Sequence, residues 1–232
     1  MPITPATRDE DIAAFIRENL PVAPVPGIAE IRLHKAVPES GLRRLAEGGA
    51  ANFGSPYWAY HWAGGLALAR HLLDHPECVA GKRVVDLGAG GGLVGIAAAK
   101  AGAAHVTAAE IDPYAVAALR LNAALNHVEI EIVAHDIVPL APPRAEVMLV
   151  GDLFYAPDLA ARVGEFLDHC VAQGITVLVG DPWRTSLPVA RLREIARYPV
   201  AETKSGSGKP SGIFEWVGGE TVRAAVTPGP IG

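Results

Sequence analysis

The sequence predicts an α/β fold, with a seven-stranded, mostly parallel sheet, helices on both of its faces and a C-terminal antiparallel hairpin. Three observations predict this fold. From residue 82 onward, apolar runs of strand length alternate with segments of helical periodicity. The first run ends in a glycine-rich turn that leads directly into an alanine-rich helix. Two late segments, at 198–204 and 211–217, flank a Ser/Gly-rich loop, as expected for a hairpin at a sheet edge.

The chain divides into three predicted parts: an N-terminal helix and extension at residues 1–52 that packs on the main domain, the main domain at 53–218, and a mobile tail at 219–232. A capping box at residues 7–10 precedes apolar residues on one helical face, namely Ile12, Phe15, Ile16 and Leu20. A proline-rich stretch at 21–26 then ends the helix, and residues 31–34 alternate like a short strand.

The elements of the main domain follow from the alternation of the two patterns. The strands are continuous apolar runs because a parallel sheet covered by helices is buried on both faces. We expect helices at 66–74, 93–101, 114–125, 159–172 and 189–197, and strands at 83–87, 105–111, 129–134, 146–151 and 175–180, followed by the hairpin strands.

Composition excludes several classes of function. The 20 basic residues among 232 are scattered and the formal charge is −5, which argues against a nucleic-acid partner. No apolar run approaches the roughly 20 residues that span a bilayer, and the acidic N-terminus has no signal core. Cys78 and Cys170 stand alone, without metal-ligand spacing. We therefore expect a cytoplasmic monomer with no metal and no membrane contact.

The acid that precedes the glycine turn indicates the cofactor. Residues 84–95 read Val-Val-Asp-Leu-Gly-Ala-Gly-Gly-Gly-Leu-Val-Gly, with Asp86 closing a β-branched run before Gly88 and Gly90. Glycines in such a turn let backbone N–H groups approach a nucleotide closely. A carboxylate beside the turn attracts the sulfonium and ammonium groups of S-adenosylmethionine (AdoMet) but repels a pyrophosphate. AdoMet is therefore the predicted cofactor.

Two alternatives to AdoMet remain open at this point. Residues 90–95 also satisfy the dinucleotide pattern G-x-G-x-x-G, which by itself is weak evidence, and a glycine-rich turn can occur in an α/β protein that binds no ligand. Glu110 ends the next predicted strand, where either class of cofactor needs a carboxylate for its ribose hydroxyls.

An acidic residue lies within two residues of the end of each of five predicted strands, and these ends form one edge of the sheet. The acids are Asp86, Glu110, Asp136, Asp152 and Asp181. Open α/β sheets bind ligands beyond this edge, so the acids predict a negative rim over a cofactor crevice. The alternative is five unrelated turn carboxylates, because Asp is common in turns.

Further contacts to the cofactor follow from positions next to these acids. In an AdoMet pocket, Asp136 is placed to accept from the adenine amino group, while Ile137 and Ile111 pack against the cofactor. Trp58 and Trp62 lie in an aromatic segment before the first helix of the main domain and are candidates for closing the cleft. Core filling beneath the N-terminal segment is the alternative for both.

Several of these motifs resemble a known family. Residues 86–92 together with Glu110-Ile-Asp-Pro resemble class I (seven-β-strand) AdoMet-dependent methyltransferases, which have a Rossmann-like fold. Asp152-Leu-Phe-Tyr155 is similar to the Asp-x-x-Tyr/Phe signature of a group of protein-lysine methyltransferases. The stretches 56–65, 72–76, 151–155 and 179–182 resemble enzymes that methylate lysines of the electron transfer flavoprotein beta subunit. Trp183 departs from this pattern, which has glycine there.

The resemblance implies a protein-lysine N-methyltransferase that uses AdoMet and acts on the electron transfer flavoprotein beta subunit. It implies that Asp152 first binds and orients the lysine amine, with deprotonation of the amine as a second role, and that Tyr155 lines the lysine channel or donates to Asp152. Two other functions stay open: a small-molecule N-methyltransferase of the nicotinamide type, and a non-catalytic module that binds the flavoprotein. The intact Asp152 and Tyr155 favour the lysine methyltransferase over the module.

Overall fold

The computed structural model describes residues 5–42, 56–199 and 210–219. Its elements in chain order are α1 (Pro5–Asn19), β1 (Val22–Val25), β2 (Ile28–His34), α2 (Ala63–Asp74), β3 (Arg83–Leu87), α3 (Leu93–Lys100), β4 (His105–Ala109), α4 (Pro113–Leu125), β5 (Glu131–Val133), β6 (Val147–Gly151), α5 (Pro157–Ala172), β7 (Thr176–Asp181), β8 (Leu192–Tyr198) and β9 (Ser211–Trp216). Short 3₁₀ turns lie at Pro38–Ser40, Tyr57–Ala59, Pro76–Cys78 and Val189–Arg191.

Seven strands of the described residues form the main sheet, in the order β5-β4-β3-β6-β7-β9-β8. Strands β3 to β7 pair in parallel, whereas β9 is antiparallel to both β7 and β8. The order reverses at β3, which has β4 on one side and β6 on the other. Such a switch point opens a crevice beyond the carboxyl ends of the strands, where α/β proteins bind ligands. The predicted fold class, including the C-terminal hairpin, is confirmed.

Helices cover both faces of the sheet because successive strand residues point to opposite sides. On one face, α2 and α3 pack against side chains such as Val84 and Leu149. On the other face, α5 packs against the neighbouring positions Val85 and Val150. This alternation explains why the central strands are apolar throughout.

The N-terminal segment packs on the main domain through α1 and β2. Ile16 of α1 and Leu20, which directly follows that helix, are buried in a cluster that includes residues of α4. Strand β2 pairs antiparallel with β1, and Asn126, directly after α4, exchanges two hydrogen bonds with the backbone of Arg32 in β2. The predicted boundary at 52/53 lies outside the described residues, as does the tail from residue 220.

The predicted helix at 189–197 is wrong. The segment forms a 3₁₀ turn followed by the edge strand β8, so the first hairpin strand begins before the expected 198–204, of which 200–204 lie outside the described residues. Arg193 and Arg197 are exposed and paired with Glu215 and Glu194 respectively. Charged side chains are common on edge strands, and here they give the strand a polar pattern that resembles the exposed surface of a helix.

No helix in the described part of the chain is both long and apolar enough to cross a membrane. Within the same residues, no three His, Cys, Asp or Glu side chains are grouped so that they could hold a metal ion. Cys170 is a buried free thiol on α5, in the core between that helix and the sheet, and burial raises its pKa to about 12.

Candidate functional site

A cavity of about 550 Å³ opens beyond the carboxyl ends of β3, β4 and β6. This volume is within the range of small-molecule sites in proteins. Every residue that the sequence predicts as catalytic or cofactor-binding lines it: Trp58, Trp62, Asp86, Gly88, Gly90, Glu110, Ile111, Asp136, Ile137, Asp152 and Tyr155. Asp181, the fifth strand-end acid, is fully buried behind the cavity wall.

The glycine turn between β3 and α3 forms the floor of the cavity. Gly88, Gly90 and Gly92 have φ values of 67°, 54° and 88°, in the left-handed region that favours glycine. The backbone of Trp58 lies directly over the turn, since a Cβ on Gly91 would be 2.8 Å from the Trp58 carbonyl oxygen. The turn is therefore a tight backbone cradle with an aromatic segment across it.

Asp86 lies at the end of β3 and is 1% exposed. Its Oδ2 accepts a hydrogen bond from Gly95 N at 2.8 Å, which ties the strand to the first turn of α3. Burial raises the pKa of this carboxyl to about 7, and the negative charge of Glu110 adds to the shift. The group that was predicted to attract the cofactor thus also anchors the helix behind the glycine turn.

Glu110 connects the end of β4 to the glycine turn. One oxygen accepts from Gly90 N at 2.7 Å, and the other accepts from Ile111 N and Asp112 N at 2.7 and 2.9 Å. A carboxylate has about four lone-pair positions, so it retains capacity for a ligand hydroxyl. Ile111 next to it is 69% exposed, an apolar surface that a ring of the ligand would cover.

Asp136 and Ile137 follow β5 at the far side of the cavity. Asp136 accepts from Val138 N at 2.9 Å and pairs with Arg162 at 2.7 Å, which fixes its carboxylate in place. Ile137 is partly buried against the core under α5. Ile111 and Ile137 thus lend the cavity apolar surface on the side away from β6.

The aromatic segment at 57–62 presents buried polar atoms to the cavity. Trp58 and His61 are each 8% exposed, and neither Trp58 Nε1 nor either ring nitrogen of His61 has a hydrogen-bond partner in the part of the chain that the structure describes. Burial, followed by the charge of Lys35, lowers the pKa of His61 to about 4, so its ring is neutral. Since unpartnered buried polar groups are costly, these atoms fit a ligand with both donors and acceptors, such as AdoMet.

The mouth of the cavity is aromatic. Tyr57 and Tyr155 are more than half exposed, and their ring centroids lie 6.1 Å apart. Trp62 donates from Nε1 to the Tyr57 carbonyl oxygen at 2.8 Å and packs edge-on against the Tyr57 ring. An aromatic rim of this kind suits the aliphatic stem and cationic head of a lysine side chain.

Asp152 lies at the end of β6 with a left-handed φ of 58°, a conformation that Asp tolerates better than most residues. Its Oδ2 accepts from Gly65 N at the start of α2, and its Oδ1 accepts from Arg184. Burial raises the pKa of this carboxyl, and the charge of Arg184 opposes that shift. Asp152 is therefore a buried, oriented carboxylate at the cavity wall.

The start of α2 approaches the sheet very closely. A Cβ on Gly64 would be 2.2 Å from the Gly180 carbonyl oxygen, so only glycine fits there. This close approach directs the N–H of Gly65 at Asp152, where the positive end of the helix dipole favours a carboxylate.

Arg184 is a residue of this site that the sequence analysis missed. Its backbone N donates to Asp181 Oδ1 at 2.7 Å, and its Nη1 lies 3.3 Å from Asp181 Oδ2 while also pairing with Asp152. Burial raises the pKa of Asp181 to about 6. The only signal in the sequence was the position of Arg184 shortly after the fifth strand-end acid.

Comparison with known proteins gives consistent results. A family model described as ribosomal protein L11 methyltransferase (PrmA) matches residues 68–171. The chain is 37% identical to the electron transfer flavoprotein beta subunit lysine methyltransferase of Xenopus laevis over 196 residues, which are 82% of this chain and 79% of that protein. It is 38% identical to the protein of the same name from Homo sapiens over 202 residues, which are 84% of this chain and 77% of the other.

A solved structure supports the fold. A putative RNA methyltransferase from Pyrococcus horikoshii is similar with a TM-score of 0.53 and 16% identity, covering 75% of this chain and 94% of that chain. At this identity the likeness concerns the fold alone. The two named relatives, in contrast, match most of both sequences. The resemblance inferred from the motifs is confirmed, and the chain belongs to the family of electron transfer flavoprotein beta subunit lysine methyltransferases.

Proposed function

We propose that this chain is a protein-lysine N-methyltransferase that transfers methyl groups from AdoMet to one or more lysines of the electron transfer flavoprotein beta subunit. One observation favours this function most strongly. The buried carboxylate of Asp152 lies in the same cavity as the glycine turn, beneath an aromatic rim. The names of the relatives supply the substrate.

The proposal assigns the cofactor to the part of the cavity between the glycine turn and β5. Glu110 accepts from the ribose hydroxyls, and the apolar surfaces of Ile111 and Ile137 pack on the adenine. Trp58 Nε1 and the neutral ring of His61 supply the donors and the acceptor that the amino-acid head needs. Gly88 and Gly90 bring backbone atoms close to the cofactor. The positive groups of the cofactor favour the ionised form of Asp86, whose pKa burial raises to about 7.

The proposed role of Asp152 is to bind and orient the lysine amine. Free lysine has a pKa near 10.4, so only about one side chain in a thousand is neutral at pH 7. Bound AdoMet supplies a sulfonium methyl group, which only the neutral amine can take up. A carboxylate oxygen of Asp152 accepts an N–H of that amine and leaves the nitrogen lone pair free. Orientation of this kind contributes several kcal/mol without requiring a strong base.

The rim residues guide the substrate in this proposal. Tyr155, Tyr57 and Trp62 surround the aliphatic stem of the lysine and exclude water from Asp152. The negative charge of the chain favours a basic surface on the partner protein. As part of the same proposal, the enzyme is cytoplasmic and monomeric and binds neither nucleic acid nor a membrane.

The test is mass spectrometry of purified electron transfer flavoprotein after incubation with the enzyme and isotopically labelled AdoMet. We expect label on lysines of the beta subunit, and loss of that label when each modified lysine is replaced by arginine. Nicotinamide and ribosomal protein L11 serve as parallel acceptors. Label in either of these, with none in the flavoprotein, would show that the flavoprotein is not the substrate and that the labelled acceptor is.

A further inference from the structure

We propose that Arg184 is a positioning residue for methyl transfer, which holds Asp152 in place and offsets the negative charge around it so that the substrate lysine binds as a neutral amine. This inference rests on the proposed function and adds a role that the family motifs do not include. Arg184 lines the cavity next to Asp152 and has a partly buried side chain.

The geometry makes Arg184 the link between two buried carboxylates. Its Nη1 contacts Asp152 and also lies 3.3 Å from Asp181 Oδ2, while its own backbone N–H is held by Asp181 at 2.7 Å. The guanidinium carbon lies 6.0 Å from the centroid of the Trp62 ring. Three contacts therefore fix the guanidinium between the cavity wall and the rim, beside the place where the amine must bind.

The loop that supports Arg184 is fixed independently of these ion pairs. Trp183 has a left-handed φ of 58° and packs edge-on against Phe214 at 5.4 Å. The Arg197 guanidinium from β8 lies 4.4 Å from the Trp183 ring centroid on the outer side. The hairpin thus holds the loop against the sheet, and the direction of Arg184 follows from the fold.

The charges around the acceptor explain why a cation is needed there. Asp152 and Asp181 are both buried, and burial raises the pKa of each. Tyr155 from the loop before α5 is neutral near pH 7, with a pKa raised by burial, and His61 from the aromatic segment is neutral as well. The negative charge of Glu110, beside the glycine turn, also raises the pKa of Tyr155. Arg184 contacts both carboxyls, so above their pKa values, where both are ionised, its guanidinium offsets their negative charge beside the amine.

Carboxylates whose negative charge is not offset would favour the protonated form of the substrate lysine. A negative charge next to the amine stabilises the ammonium ion, which has no lone pair to attack with, whereas a nearby guanidinium favours the neutral amine. Asp152 still has a lone pair to accept an N–H from that amine, because Gly64, Gly65 and Arg184 use at most three of its roughly four positions. With Arg184 in place, Asp152 orients the amine by accepting its N–H, while the guanidinium offsets the negative charge that would stabilise the ammonium ion.

The test is the pH dependence of kcat for Arg184→Gln and Arg184→Lys on the flavoprotein, since kcat reports ionisations in the substrate complex. We expect the rise of kcat with pH to shift upward by about one unit in Arg184→Gln. Near pH 7.5 its kcat then falls about tenfold and recovers at higher pH. Arg184→Lys keeps the charge, so its profile stays close to that of the wild type.

Asp181→Asn provides a control of opposite sign at a buried residue outside the cavity lining, and asparagine keeps an Oδ1 that can accept from the backbone N–H of Arg184. Removing this buried negative charge should shift the kcat profile to lower pH. A uniform loss of kcat in Arg184→Gln at all pH values, without a shift, would overturn the inference, as would an upward shift in Asp181→Asn. If Arg184→Gln does not fold, as judged by thermal melting, the direction of the Asp181→Asn shift decides. An inactive wild type would instead refute the proposed function.

Discussion

The cavity has a cofactor end, around Trp58, His61 and Glu110, and an acceptor end, around Asp152 and Arg184. The two ends differ in whether their buried polar groups already have hydrogen-bond partners. At the cofactor end, Trp58 and His61 leave buried nitrogen atoms without partners within residues 5–42, 56–199 and 210–219. At the acceptor end, both oxygens of Asp152 are already bonded, to Gly65 and Arg184. In the proposed function, a cofactor would complete the first end, whereas the second is already hydrogen-bonded before a substrate binds.

This difference suggests a division of labour. Unpartnered buried groups destabilise the protein until a ligand binds them, so the cofactor end gains from its ligand both affinity and stability. A preassembled acceptor end loses little orientation when the lysine enters, which favours transfer over tight substrate binding. Substitutions at the cofactor end should therefore change mainly AdoMet affinity, and substitutions at the acceptor end should change mainly kcat.

The largest effect is expected for Asp152→Asn. Asn tolerates the left-handed backbone at this position and keeps the shape of the side chain, but it loses the charged acceptor that orients the amine. We expect kcat to fall about a hundredfold to a thousandfold. Initial rates with labelled AdoMet and the flavoprotein measure this loss, and thermal melting confirms the fold. A kcat within a few-fold of wild type would remove Asp152 from the mechanism.

The matching variant at the other end is Glu110→Ala, with Glu110→Gln as its shape-preserving control. Loss of charge-assisted bonds to the ribose should weaken AdoMet binding by about 2–4 kcal/mol. Because Glu110 also accepts from Gly90 N, the alanine variant loosens the glycine turn, and the glutamine variant should lose less. Calorimetry with AdoMet measures both. Unchanged affinity in Glu110→Ala would place the ribose elsewhere.

Two adjacent glycines test whether close packing of α2 assembles the acceptor end. A Cβ on Gly64 would lie 2.2 Å from a backbone oxygen of Gly180, so Gly64→Ala should cost about 3 kcal/mol of unfolding free energy. A Cβ on Gly65 meets its nearest atoms at 3.6 Å or more, so Gly65→Ala should change stability by less than about 1 kcal/mol. Denaturant unfolding of both variants gives the comparison, and equal losses would contradict this packing.

The smallest effect concerns Trp183, which has a left-handed φ of 58°. Trp183→Ala removes the contacts with Phe214 and Arg197 but keeps the strained backbone, whereas Trp183→Gly removes both contacts and strain. Trp183→Gly should therefore be the more stable of the two variants by about 1 kcal/mol. Chemical denaturation resolves this difference. Equal stabilities would indicate that the loop changes its backbone conformation.

The sequence predicted the residues around the glycine turn more completely than those around Asp152, because the former are close together in the chain. One strand, one turn and one helix start at 84–95 place Asp86 and the glycines together, and Glu110 follows on the adjacent strand. Arg184 reaches Asp152 only through the pairing of β6 with β7 and the course of the loop after β7. The edge strand β8 was missed for a related reason: its partner β9 determines its conformation more than its own polar pattern does.

The separation of the two ends is tested most directly by a calorimetric titration of AdoMet into Asp152→Asn in the absence of protein substrate. The structure predicts a dissociation constant within about threefold of the wild-type value, which corresponds to less than about 0.7 kcal/mol. Such a result would assign Asp152 to the lysine acceptor alone. A loss of AdoMet binding in this variant, at unchanged thermal stability, would show that Asp152 holds the cofactor and that the two ends are one site.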